Sequence, residues 1–526
     1  MDASNRTAAA ILTEGDRIRA VGSEAEVRSA LGGRSARIVD LAGRTLMPGF
    51  VDAHSHFPGA GLYEVMADLN SPPIGEVRTI DDIVDRMRAL AAKTDPGEWV
   101  VGMGYDDSLL AERRHPTRAD LDRASRQHPV AIYHVSGHLG VLNSAGLARY
   151  GIDSTTPDPV GGRIVHDDAG RPTGVLEEEA VQRWLAPLLQ PDAWQALDIV
   201  RAANRLYLAQ GVTTAQSGLT NRQVMRGLVL GSRLGLIDMR LVILPDADLA
   251  SAQLRGEVDA GPESDWIHVG AVKLVADGSI QGYTGYLSEP YFVPPGDDPT
   301  YRGYPRIPRA DLMALVAKFH DAGLQLAIHG NGDAAIDDIL DALESAQRKN
   351  PRADTRHIII HAQMAREDQL DRMQRLGVIP SFFELHTYYW GDRHRDIFMG
   401  PERAARMSPT RSALRRGIRF TLHADTPVVP MEPLRMVWAA VNRLSTSGAP
   451  IGPEQRIEPI DALRALTIDA TRQHFLENDL GSLEAGKLAD MIILDRSPLD
   501  FPQSIDTVRV DETVIAGRVV YRRGDD

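Results

Sequence analysis

Two histidines one residue apart close a short apolar run, Leu46-Met47-Pro48-Gly49-Phe50-Val51-Asp52-Ala53-His54-Ser55-His56. In a strand, residues i and i+2 share a face. His54 and His56 would then stand side by side at a strand end, a common start for a metal site. A two-residue motif is weak by itself, because a loop pair reads the same way. Other polar residues sit at similar places. His329 ends the run 324–329, His361 ends 357–361, Lys273 lies late in the apolar run 269–275, and Asp425 follows the run 419–423. One strand-end histidine is ordinary structure. Four converging on one mouth would need separate partners and would repel one another in acid. Lys273 has two options beside a metal. It can be carboxylated to a bridging carbamate, or it can stay cationic and orient a single ion; away from a metal it could snorkel or pair with a carboxylate. Asp425 suits a general base for a metal-bound water, or a turn residue ahead of Pro427.

The elements that must hold these residues follow from periodicity. Strand-like runs occur at 46–51, 212–215, 240–244, 269–275, 324–329, 357–361, 378–382 and 419–423, with helical patterns between several of them. Leu312, Leu315, Val316 and Phe319 make one apolar stripe, closed by Gly323; Ile336, Ile339, Leu340 and Leu343 make another; Leu370, Met373 and Leu376 make a third, ending at Gly377. Eight strands alternating with helices predict an α/β chain folded as a (β/α)8 TIM barrel, whose catalytic residues sit at the C-terminal strand ends. A doubly wound sheet is the alternative, but no glycine-rich phosphate turn follows a strand. Short strands at 9–22, 37–41 and 490–521 predict a small β-sandwich assembled from residues 1–45 and 480–526. The barrel then occupies 46–479, with an insertion at about 58–205 read as helices and irregular segments. In it, Ile80, Ile83, Val84, Met87 and Leu90 mark one clear helix.

Composition narrows the chemistry. The chain has 526 residues and a formal net charge of −14, which argues against nucleic acid or an anionic membrane as partner. It has no cysteine, so any transition metal must sit on histidine, carboxylate or modified lysine. The first residues show no apolar signal segment and no run reaches the roughly 18 apolar residues of a membrane span. A soluble cytoplasmic protein with a small-molecule substrate is expected, with a homodimer as one assembly.

The combination resembles the amidohydrolase superfamily, and most of all its amidohydrolase family 3, or YtcJ-like, branch that includes N-substituted formamide deformylases. The matching segments are Pro48 to His56, Ser136-Gly137-His138 with Asn143-Ser144-Ala145, Gly170 to Leu176, and Gly211 to Thr214. They continue with Val272-Lys273-Leu274 and Asp277-Gly278-Ser279, His329 to Ala335, His361-Ala362-Gln363, Asp425-Thr426-Pro427 and Gly481 to Asp490. The resemblance implies a barrel, a composite β-sandwich and one or two divalent metal ions, usually zinc. It implies the ligands His54, His56, Lys273 as a carbamate, His329, His361 and Asp425, with Asp425 also the general base.

The expected activity is metal-dependent hydrolysis of an amide-type C–N bond, N-acyl or N-formyl. Ester or carbamate hydrolysis, or deamination, is the alternative on the same site. A non-catalytic metal-binding regulator is the alternative of another class, and it would not need Asp425 as a base. His386, just after the seventh strand, is the candidate oxyanion donor. His138 and Asn143 are expected to reach over the mouth to the substrate, and Tyr388 and Trp390 to line an apolar pocket together with Tyr105 and Tyr389. Asp333 is a candidate carboxylate to orient a ligand, or a helix cap.

Overall fold

Pro48 and Gly49 break the opening run in two. Thr45–Pro48 pairs antiparallel with Met491–Leu494, whereas Phe50–Val51 pairs parallel with Val212–Thr220. A Cβ on Gly49 would stand 2.2 Å from the Thr213 methyl, so only glycine lets the chain cross here. The run read as one strand is therefore two, in different sheets.

The computed structural model describes residues 1–2, 4–189, 191–259 and 264–525. The fold is mixed α/β. Two parallel arrays hold the strand ends that matter. One orders Ile267–Val269, Arg240–Pro245, Val212–Thr220 and Phe50–Val51; the other runs from Val272–Val275 through Leu326–Gly330, Ile358–His361 and Ile379–Phe382 to Thr421–Leu422. The run 269–275 is thus also divided, at Gly270-Ala271, between the two arrays. A bridge between Asp246 and Lys273 joins the arrays on one side. On the other, the Asp425 N–H donates to His54 O (3.2 Å) and the His56 N–H to Thr426 O (2.8 Å). The strands Arg240–Pro245, Val272–Val275 and Ile358–His361 are rich in Ile, Val and Leu, as burial on both faces demands. The helices between them bury most of the expected stripes, Leu315 and Leu376 only partly; Asp333–Lys349 buries Ile336, Ile339, Leu340 and Leu343. Gly377, at φ 65°, ends Glu367–Leu376 in the left-handed conformation.

The insertion differs from its expectation. It contains a six-stranded mixed sheet ordered Ala67–Asp68, Val100–Tyr105, Val130–His134, Leu139–Leu142, Pro172–Glu178, Gly162–His166. These strands are short and broken by glycines that packing requires. A Cβ on Gly102 would meet the Met87 sulfur at 2.6 Å, on the expected helix, here Ile80–Ala91. Such interrupted runs carry little period-2 signal.

At the termini, Ala10–Glu14 and Arg17–Gly22 form the expected hairpin, and Ile18 packs on Ala489, Met491 and Val514. Met491–Leu494, Val510–Ile515 and Arg518–Arg522 form one sheet with Thr45–Pro48. Residues 37–41 form no strand; Ile38 and Val39 are 74% and 53% exposed, because no neighbour covers this isolated apolar pair. Arg240 and Asp490, both buried, tie the parallel strands to the terminal sheet through two hydrogen bonds of 2.6 and 3.0 Å. Among the described residues no helix is long and apolar enough to cross a membrane.

Candidate metal centre

His54 and His56 follow Phe50–Val51, and their partners set their tautomers. His54 Nδ1 lies 2.7 Å from Gln216 Oε1, whose own amide nitrogen donates to Ala53 O. His56 Nδ1 lies 2.9 Å from the Gly218 carbonyl. Both acceptors lack a proton, so each Nδ1 carries one and each Nε2 presents a lone pair. Those Nε2 atoms face Asp425 Oδ1 at 3.4 and 3.3 Å. Asp425 Oδ1 is buried and has no hydrogen-bond partner among the described residues. Three lone-pair atoms this close repel unless a cation sits among them. Donors around one zinc ion, bonded at about 2.1 Å, stand roughly 3–3.5 Å apart. The donor set fits a divalent metal.

A second pair adjoins it. His329 Nε2 lies 3.1 Å from Gly278 O and 3.5 Å from Asp277 Oδ1, which places its proton there and turns Nδ1 toward His361 Nε2, 3.0 Å away. His361 Nδ1 meets His423 Nε2 at 3.2 Å, and His423 Nδ1 meets Ser381 Oγ at 2.9 Å. His361 Nε2 is 3.9 Å from Asp425 Oδ2, so Asp425 stands between the two histidine pairs. Lys273 Nζ is 3.1 Å from His54 Nε2.

Burial dominates the electrostatics. It holds His54, His329 and His361 well below the ordinary imidazole value, and nearby Lys273 adds to the effect. Neutral imidazoles are the metal-binding form. Burial also lowers Lys273 to about 7. For Asp425, burial pushes the carboxyl up, but His56, His423 and Lys273 in their protonated forms outweigh it and hold it below its usual value. His361 (φ 70°) and Asp425 (φ 54°) both occupy the left-handed region, a strain of order 1–3 kcal/mol each that clusters at functional sites.

The site also gathers residues from the insertion and the loop after the seventh strand. A small cavity is lined by His138, His386, His361, Asp425, Ser279 and Asn331, among others. His386 is buried, 6.2 Å from the His361 ring, with no hydrogen-bond partner for Nδ1 among the described residues. His138 Nδ1 meets Glu178 Oε2 at 2.8 Å, and its ring lies 5.1 Å from that of His329. Trp390 stands one layer back, edge-on to His386 at 5.7 Å, in a neighbouring pocket with Tyr389.

Of the expected substrate residues, Trp390 and Tyr389 line only the neighbouring pocket, and Asn143, Tyr388 and Tyr105 are brought to neither. Asn143 caps the helix Ser144–Tyr150: its Oδ1 accepts from Val130 N and Gly146 N, and its Nδ2 donates to Ser125 O and His128 O. Its hydrogen-bonding capacity is used by backbone. Tyr388 packs against Trp438, under the Arg435 guanidinium. Tyr105 is fully buried, with its hydroxyl on His115. Asp333 holds Ser288 and Arg366, and Asp277 is the carboxylate beside His329.

The sequence reading missed Gln216, Asp277, Glu178 and His423 as parts of the site. His423 had a usable signal, since it ends a strand as His329 and His361 do. Asp277 opens the motif Asp277-Gly278-Ser279. Gln216 and Glu178 carried no signal, because their partners are 162 and 40 residues away in sequence.

A sequence profile of the amidohydrolase family matches residues 37–521. The chain is 31% identical to the N-substituted formamide deformylase of Arthrobacter pascens, over 99% of this chain and 96% of that one. It is 27% identical to the putative amidohydrolase YtcJ of Bacillus subtilis, over 98% of each. The fold is similar to that of an uncharacterized metal-dependent hydrolase from Pyrococcus horikoshii, with a TM-score of 0.73 at 25% identity, covering 94% of this chain and 95% of the other.

Proposed function

We propose, from the premise that the chain belongs to the amidohydrolase family, that it hydrolyses the C–N bond of a small N-acyl or N-formyl amine at a metal centre built from His54, His56, Lys273, His329, His361 and Asp425. The observation that carries this reading is the meeting of two Nε2 lone pairs and the orphaned Asp425 Oδ1 within 3.4 Å. Zinc suits these nitrogen and oxygen donors. A divalent ion bound there supplies a water acidified toward neutrality and a Lewis acid for the substrate carbonyl.

The chain's own groups do the rest. Asp425, held ionised, takes the proton of the attacking water and returns it to the leaving nitrogen as the C–N bond breaks. His386, which lines the same cavity and has an unengaged Nδ1, donates to the developing oxyanion. His138, aimed by Glu178, orients the substrate from the insertion side. Trp390 supports the His386 ring. Lys273, lowered to about 7 by burial, has free amine at neutral pH. That amine would add carbon dioxide and release one proton, and the resulting carbamate would offer anionic oxygens to ions held by the two histidine pairs. The two parallel arrays are read as arcs of one (β/α)8 barrel, supported by the Asp246–Lys273 bridge and the bonds between residues 54–56 and 425–426. The terminal sheet and hairpin are read as its composite β-sandwich.

The test measures metal content and acid release together. Protein purified without chelator is expected to hold one or two divalent ions per chain and to release acid from N-formyl or N-acyl amines, sensitive to chelator. Asp425→Asn should lower turnover about 10²–10⁴-fold. A metal-free chain, or wild-type turnover in Asp425→Asn, would refute the reading. Release from esters alone would move it to the alternative bond.

A further inference from the structure

Away from this centre, a second cluster of ligand-type side chains lies in the insertion. Asp106 and Asp107 follow the strand Val100–Tyr105, and His134 ends the adjacent parallel strand Val130–His134. One ligand atom from each of the three lies within 4.8 Å of the others, the same criterion that His54, His56 and Asp425 satisfy. His134 is fully buried. Its Nε2 and Asp107 Oδ1 face one another at 3.2 Å, and neither has a hydrogen-bond partner among the described residues. His134 Nδ1 lies 2.8 Å from Ser136 Oγ, which can accept its proton and leave Nε2 as a lone pair. At the rim, His115 Nδ1 stands 3.6 Å from the same Asp107 oxygen, where it also meets the Tyr105 hydroxyl at 3.1 Å.

We infer that Asp106, Asp107 and His134, with His115 as a fourth donor at the rim, hold a divalent transition-metal ion separate from the catalytic centre. The separations of 3.2 and 3.6 Å from Asp107 Oδ1 match those of neighbouring donors around an ion bonded at about 2.1 Å. The mixed imidazole and carboxylate set suits zinc or a similar borderline ion. Asp106 already accepts from Ser108 through Oδ1 and from the Trp390 indole through Oδ2 at 2.8 Å, so it joins the ion through remaining lone pairs. The ion would cross-link two strand ends of the insertion to the loop that carries Trp390 and His386. The competing arrangement is a plain His134–Asp107 hydrogen bond, with the Ser136 N–H donating to Nδ1 at 3.2 Å.

The experiment is anomalous diffraction at the zinc edge from crystals of the full chain loaded with zinc chloride, paired with zinc counting by mass spectrometry. The expected result is a peak bonded to Asp107 and His134, besides the peak at His54, His56 and Asp425. Zinc content should fall by one ion per chain in Asp107→Asn, and likewise in His134→Gln should the first variant fold poorly. A filled catalytic centre with no peak at Asp107 overturns this inference and leaves the proposed function standing. A peak at Asp107 alone does the reverse, and zinc at neither place overturns both.

Discussion

Gln216 shows what a single residue contributes here. Its Oε1 holds the His54 proton on Nδ1, and its amide is anchored on Ala53 O. Groups that orient a ligand histidine are commonly worth 10–100-fold in metal affinity. Gln216→Leu keeps the volume and removes the acceptor. It is expected to weaken metal binding about 10–100-fold, with the fold intact; competition against a chromogenic chelator measures it, and unchanged affinity would mean another group sets the His54 tautomer. The clustered histidines were readable in sequence as candidate ligands, because each ends an apolar run. Gln216, Asp277 and Glu178 were not, since a residue's partner across a fold leaves no local mark. Asn143 is the opposite case: it opens the motif Asn143-Ser144-Ala145, yet its side chain bonds backbone groups at a helix start.

Among the elements, the strand Val212–Thr220 is tightly constrained. It pairs with Phe50–Val51, supplies Gln216, and passes close under His54. A Cβ on Gly218 would lie 2.5 Å from His54 Cε1 and 2.9 Å from Ser55 O. Gly218→Ala must therefore displace the imidazole or the strand. Metal content of Gly218→Ala is expected to drop and turnover to fall at least about 10-fold by loss of ligand orientation; full metal content with wild-type turnover would show that the strand yields freely. Element types were legible for the long periodic helices and the Ile/Val-rich strands. The insertion sheet was not, because glycines needed for close packing interrupt its strands. The divided runs at Pro48–Gly49 and Gly270-Ala271 were not either, since both halves look alike and only their pairing partners differ.

Taken as one molecule, the chain buries an unusual set of titratable groups. Burial holds His357, His394, His423 and His474 at about 3. It also holds His54, His329, His361 and His386 well below 6.5. Below pH 6.5 the unfolded chain binds protons that these folded histidines refuse, so they contribute stability that is lost on acidification. Buried Asp52, Asp277 and Glu384, raised to about 7, act oppositely, favouring the folded chain below about pH 4 and costing stability as pH rises toward 7. Eight histidines outweigh three carboxylates. The urea midpoint of the chelator-treated protein is expected to be lower at pH 5 than at pH 7, and an equal or higher midpoint at pH 5 would contradict this account.

Sequence alone determined the alternation of elements, the ligand-type residues at strand ends and the family they resemble, because apolar periodicity and strand-end position are local properties of the chain. Tertiary structure decided which Nε2 lone pairs meet Asp425, which carboxylate steers each histidine, and where the opening run changes sheet. Those outcomes depend on contacts between segments hundreds of residues apart. They also depend on close approaches that only a glycine permits, and neither leaves a trace in the spacing of residues along one strand.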